Sequence, residues 1–153
     1  VLCEDRLLLF NRGNMQFPAS HILSASLADV MASGPVLAVL CAKLDVPQVS
    51  GVPLTITDAC RLENGHFLLS AVAEATSDSY ADGALVGAAI VELDASFNVC
   101  TVEPIEPVLK IEGIAAGTSN GALHLLCVTD ADDPDQPSAL YAGTCRWNSG
   151  QSA

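Results

Sequence analysis

Gly65-His66-Phe67-Leu68-Leu69-Ser70-Ala71-Val72-Ala73-Glu74 and Gly121-Ala122-Leu123-His124-Leu125-Leu126-Cys127-Val128-Thr129-Asp130 align without a gap, and both end on an acid. Each opens on a glycine that follows asparagine. Asn-Gly is a strong signal for a tight hairpin turn, because both central residues of such a turn need a positive φ. Each continues as an apolar run too short for a stable helix and bounded by turn residues, which reads as a strand. A third stretch, Asp5-Arg6-Leu7-Leu8-Leu9-Phe10-Asn11-Arg12-Gly13-Asn14, fits the same frame. The chain is therefore a repeat of strand pairs rather than a single mixed domain.

Working outward from those hairpins, strands are expected at 6–11, 20–27, 36–44, 54–62, 66–74, 84–94, 97–103, 110–116, 122–130 and 138–146. Asp94-Ala95-Ser96 marks a further turn. One short helix is expected at 27–33, Leu27-Ala28-Asp29-Val30-Met31-Ala32-Ser33. One unit then runs strand, tight turn, strand, polar loop, strand, turn, strand. That is a four-stranded antiparallel meander, the form of a propeller blade. The expected architecture is all-β: a β-propeller fragment of about three four-stranded antiparallel blades, incomplete at both ends. The units are 1–52, 53–109 and 110–147, with a flexible tail at 148–153. The first unit is expected to lack its first strand and the last its fourth. Two or three such blades cannot close a ring, so apolar edges and faces are expected to meet another chain. The partner is expected to be a missing N-terminal half of the same protein or a further copy.

The bulk composition narrows the function. Half of the 153 residues are hydrophobic and 16% are charged, which excludes a disordered chain. No apolar run reaches the roughly 18 residues of a membrane helix. Eighteen acids against six Lys and Arg leave a net charge of −12. Nucleic acid and anionic membrane surfaces need a basic face, so neither is an expected partner. Six cysteines (Cys3, Cys41, Cys60, Cys100, Cys127 and Cys145) include no C-x-x-C pair, and most lie inside apolar runs. They read as reduced core thiols of a cytoplasmic protein.

Motifs for common chemistry are missing. There is no G-x-S-x-G, H-E-x-x-H, P-loop or G-x-G-x-x-G. Asp130-Ala131-Asp132-Asp133-Pro134-Asp135 begins like a calcium loop, but Asp135 stands where an EF-hand needs Gly and Tyr141 where it needs Glu. His21, His66 and His124 share no metal-ligand spacing and read as surface or satisfied core residues.

The acids that recur with the repeat are the candidate site. Thr57-Asp58-Ala59 matches Ile111-Glu112-Gly113, acid on acid, on the strand expected to be innermost. Glu74 and Asp130 match at the end of the next strand, where the polar loops begin. The four carboxylates are expected to converge at the mouth of a central channel, where mutual repulsion demands compensation. A divalent cation such as calcium, held by Asp58, Glu74, Glu112 and Asp130, is one form of it. The bases Arg12 and Lys110 are another, and backbone N–H groups of the loops are a third. Asp78, Tyr80 and Asp82 in the loop 75–83, with Asp132 in the next, complete the candidate ligand-binding set. Trp147 reads as a packing residue.

Leu7–Asn14, Leu54–Ala89, Lys110–Gly117 and Leu125–Pro134 resemble the second half of a family of bacterial six-bladed propellers. That family is itself loosely similar to phytase-like and esterase-like propellers. The resemblance implies the same fold as the repeat does. It implies no agreed activity. The expected function is thus a ligand-binding or scaffold domain with an acidic site at the channel mouth. The alternative is a metal-assisted phosphoester or ester hydrolase of the phytase-like type, against which the scarcity of basic residues counts.

Overall fold

A computed structural model describes residues 1–13, 19–75, 83–130 and 135–145. The apolar runs form strands and the Asn, Asp and Gly clusters between them form turns, so the chain is all-β. In chain order the elements are β1 (Leu2–Cys3), β2 (Arg6–Asn11), β3 (Ser20–Ser26), α1 (Leu27–Met31), β4 (Val39–Leu44), β5 (Gln48–Val49), β6 (Val52–Pro53) and β7 (Thr55–Arg61). They continue with β8 (Phe67–Ala75), β9 (Ala84–Leu93), β10 (Val99–Pro104), β11 (Ile111–Ser119), β12 (Ala122–Thr129) and β13 (Leu140–Cys145).

Every pairing is antiparallel between neighbours in sequence. The first sheet has the order β1-β2-β3-β4, the second β10-β9-β8-β7 and the third β11-β12-β13. All ten expected strands are present. The expectation that the first unit lacks its first strand is corrected: the two-residue β1 occupies that place, pairing Leu2 with Leu7 and Cys3 with Arg6. The small hairpin β5-β6 was not expected. Its turn, Ser50-Gly51, has positive φ at both residues, as a two-residue hairpin requires.

The hairpin turns behave as their sequences dictate. Asn120 and Gly121 lie at φ 52° and 72° and join β11 to β12 in two residues. Gly65, at φ 86°, closes a longer turn in which Gly65 N–H donates to the Leu62 carbonyl and His66 N–H to Asn64 Oδ1. Asp94 Oδ1 accepts from the N–H groups of Ser96 and Asn98 and makes the third turn. Helix α1 is capped by Ser26, whose side chain accepts from Asp29 N–H, and it buries none of its residues.

The three sheets stack face on face. Strict alternation along β8 sends Phe67, Leu69, Ala71 and Ala73 to one core, shared with Leu8 and Ile22 of the first sheet. Leu68 faces the other way, into a second core with Ile111, Ile114, Leu123 and Cys127 of the third sheet. The second sheet is therefore buried on both faces, and seven consecutive residues of β8 are inaccessible. Phe10, Phe67 and Phe97 run as a tilted aromatic row through the first core, with centroids 5.9 and 5.4 Å apart.

The cysteine expectation is corrected in part. Cys127 is buried and Cys3 and Cys60 are half-buried, but Cys41 and Cys100 are exposed. They lie on β4 and β10, the strands farthest from the inner edge of their sheets, and each sits at a bulge that interrupts the side-chain alternation. No helix among the described residues is long and apolar enough to cross a membrane.

Candidate functional site

Strands β7 and β11 are the inner edges of the second and third sheets, and they lie against each other. Both carry a bulge: between Ile56 and Asp58 in β7, and between Ile111 and Gly113 in β11. A bulge leaves one residue out of the ladder and re-aims its neighbours. In β7 the extra residue is Thr57. Its hydroxyl bonds Ser70 Oγ at 2.8 Å and donates to the Ile111 carbonyl of the next sheet. Asp58 stands opposite Ser70, and its Oδ2 accepts the Ile114 N–H at 2.8 Å. Thr57 and Asp58 thus supply partners to the edge of β11, which no strand of the second sheet pairs.

The bulges also overturn a sequence match. Asp58 faces Ser70, whose repeat counterpart Leu126 pairs with Ala115, whereas Glu112 is the bulged residue itself. Asp58 and Glu112 are therefore not at equivalent positions. The two β-bulges fall at different points of the ladder, and no gapless alignment registers that.

Glu112 belongs to a separate cluster. Arg12, just beyond β2, places Nη2 2.6 Å from Glu74 Oε2 at the end of β8. Lys110, just before β11, places Nζ 3.3 Å from Glu74 Oε1. Both bases also reach Glu112 Oε1, Arg12 Nη1 at 4.0 Å and Lys110 Nζ at 3.9 Å. Two cations and two carboxylates from three successive sheets meet at one end of the stack. Glu74 and Lys110 are nearly enclosed, with side chains 9% and 12% exposed, while Glu112 and Arg12 remain open at 30% and 40%. Charge compensation is what allows the carboxylates to sit so close.

Four expected site residues, Arg12, Glu74, Lys110 and Glu112, are thus brought together. Asp58 instead accepts the Ile114 N–H, while Glu74 and Glu112 share the cations Arg12 and Lys110. Asp130 lies next to the cluster in the chain path, its N–H donating to the Lys110 carbonyl at 3.3 Å. Asp78, Tyr80, Asp82, Asp132 and Trp147 lie outside the described residues. Among the described residues, no three or more His, Cys, Asp or Glu side chains group in a way that could hold a metal ion.

Several other polar groups find partners locally, while the buried Ser20 Oγ has none among the described residues. His66 Nδ1 pairs with Glu92 Oε1 at 2.8 Å across the second sheet, a contact with no counterpart in the repeat. His124 approaches Thr144 at 3.5 Å on the exposed face of the third sheet. Burial pushes the Cys60 thiol up to about 11, with the Asp58 carboxylate adding to the effect. A shallow cavity of about 210 Å³, lined by Val1, Leu8–Phe10 and Ile56–Ala59, lies between the inner edges of the first two sheets.

Stacked antiparallel meanders, clamped at one end by a charge cluster, define the class: an all-β repeat protein. Residues 1–134 match the model of a family of unknown function, DUF6910, and the chain belongs to that family. No curated protein and no solved structure matches it.

Proposed function

We propose that this chain is a non-catalytic binding or scaffold unit of the β-propeller type, whose contact surface is the charged end where Arg12, Glu74, Lys110 and Glu112 meet. The observation that carries the reading is the internal compensation of that cluster. Glu74 has both oxygens engaged by cations at 2.6 and 3.3 Å, so it is neither an open metal ligand nor an idle base. What stays accessible is a guanidinium and a carboxylate about 4.0 Å apart. That pair suits a small polar ligand carrying both charges. Strands β2, β8 and β12 end beside this cluster, at Asn11, Ala75 and Thr129. The free thiols fit a reducing, cytoplasmic setting.

Two measurements test this reading. Backbone amide shifts of residues 12–13 and 110–113 should move when zwitterionic amino acids are titrated in, and Arg12→Met should abolish the response. No movement with any of them would overturn the binding surface. Thermal melting should be indifferent to excess calcium. A calcium-dependent rise in melting temperature, lost in Glu112→Gln, would establish a cation site instead. Calcium-dependent turnover of p-nitrophenyl phosphate would establish the hydrolase.

A further inference from the structure

The sheet stack uses one kind of interface twice. On the second sheet, the face bearing Phe67 and Leu69 packs on the first sheet, and the face bearing Leu68 packs on the third. In the repeat frame, Leu7 and Leu9 of the first sheet correspond to Phe67 and Leu69. Leu126 and Val128 of the third correspond to Ser70 and Val72. Each sheet therefore has a leading face and a trailing face, and inside the chain every contact is leading on trailing.

One face of each kind is left over. The leading face of the first sheet carries a leucine row across three strands, in which Leu9 pairs with Leu23 and Leu23 with Leu40. Leu2 extends it, and Leu40 is 58% exposed. The trailing face of the third sheet carries Leu126, Val128 and, paired to Val128, Leu140, which is 68% exposed. Uncovered apolar patches of this kind on a sheet face mark interaction surfaces. They are the two halves of the interface the chain already makes.

We infer that two copies of this chain associate head to tail, the trailing face of each third sheet seated on the leading face of the other copy's first sheet. A head-to-tail contact is heterologous, and it terminates only by closing on itself. Two copies use up both leftover faces of each. They bring together six sheets, within the range of four to eight that arrange around a channel. An isologous pairing of leading face on leading face would instead leave both trailing faces bare. The inference is independent of the charged end and stands or falls without it.

Light scattering after size exclusion tests it on the chain itself. The expected mass is twice the 15.8 kDa of one copy. Leu9→Asp and Leu126→Asp each place a charge in both contacts of the pair, so each variant alone should run as one copy. Mixed in equal amounts they should pair again, because one of the two contacts then contains neither substitution. Both leucines are exposed in the single copy, so circular dichroism should keep its β signature. A wild-type mass of one copy overturns the inference, as does an open series of larger assemblies. Loss of pairing in Leu9→Asp but not in Leu126→Asp overturns the head-to-tail arrangement in favour of an isologous one.

Discussion

Glu74 shows how one residue's energetics follow from its neighbours. Its carboxylate sits nearly enclosed and accepts from two cations, Arg12 at 2.6 Å and Lys110 at 3.3 Å. Hydrogen bonds to charged groups contribute about 1.5–3 kcal/mol. Glu74→Ala should therefore lower unfolding stability by an amount in that range, read from urea denaturation at constant m-value. Glu112 stands 3.9 and 4.0 Å from the same cations and is more open. Solvent screening reduces such contacts to less than about 1 kcal/mol, so Glu112→Gln should cost clearly less than Glu74→Ala. Equal losses would mean that the two carboxylates are equivalent, which the geometry denies. Cys60 and Cys100 separate in the same manner. Cys60 is held at about 11 by burial and by Asp58, so little of it is thiolate near neutral pH. Cys100 is exposed, although its thiol is also raised by desolvation and by Glu92 and Asp94. Iodoacetamide on the native chain should label the exposed Cys41 and Cys100 ahead of Cys60 and the buried Cys127. The Cys60 rate should climb only as pH approaches its raised value, since only the thiolate reacts. Uniform rates by mass spectrometry would contradict this burial pattern.

At the scale of elements, the strand repeat governs most of the structure and the bulges decide the rest. Leucine, valine and isoleucine runs between Asn-Gly and Asp turns placed ten strands, because side-chain alternation and turn chemistry are local properties. The Asn120-Gly121 turn is two residues long as its sequence requires, and Gly65 supplies the positive φ of the longer one. The β5-β6 hairpin escaped that reading because each strand is only two residues. Its one local sign was the Ser50-Gly51 turn. The hairpin is held by tertiary contact: a Cβ on Gly87 of β9 would lie 2.6 Å from Val49 Cγ1 and 3.0 Å from its Cβ. Valine has little freedom to turn away, so the hairpin itself must shift. Gly87→Ala should thus cost about 1–3 kcal/mol through overpacking, seen as a lower melting temperature. Gly87→Ala combined with Val49→Ala should recover part of that loss. No recovery would place the clash elsewhere.

At the scale of the molecule, the second sheet is the centre of the fold, since it alone is covered on both faces. Its strand β8 reads as a continuous apolar run, as a strand buried on both sides should. The first and third sheets are covered on one side, and their outward faces carry the leucines that argue for a head-to-tail pair. Among the described residues the charge cluster is a contact that draws on all three sheets. It joins Arg12, Glu74 and Lys110 from positions 62 and 36 residues apart along the chain.

The amino-acid sequence alone determined the all-β class, the repeat, the turns and the membership of Arg12, Glu74, Lys110 and Glu112 in a candidate site. These follow from local periodicity, from turn residues and from acids recurring in a frame. Only the tertiary structure decided how those charges pair, that Asp58 serves the Ile114 N–H instead of the cluster, and that Cys41 and Cys100 are exposed. The physical reason is common to these cases. A β-bulge re-aims side chains without changing residue type, and the partner it aims them at lies on another sheet, brought there by packing of apolar faces that no single segment specifies.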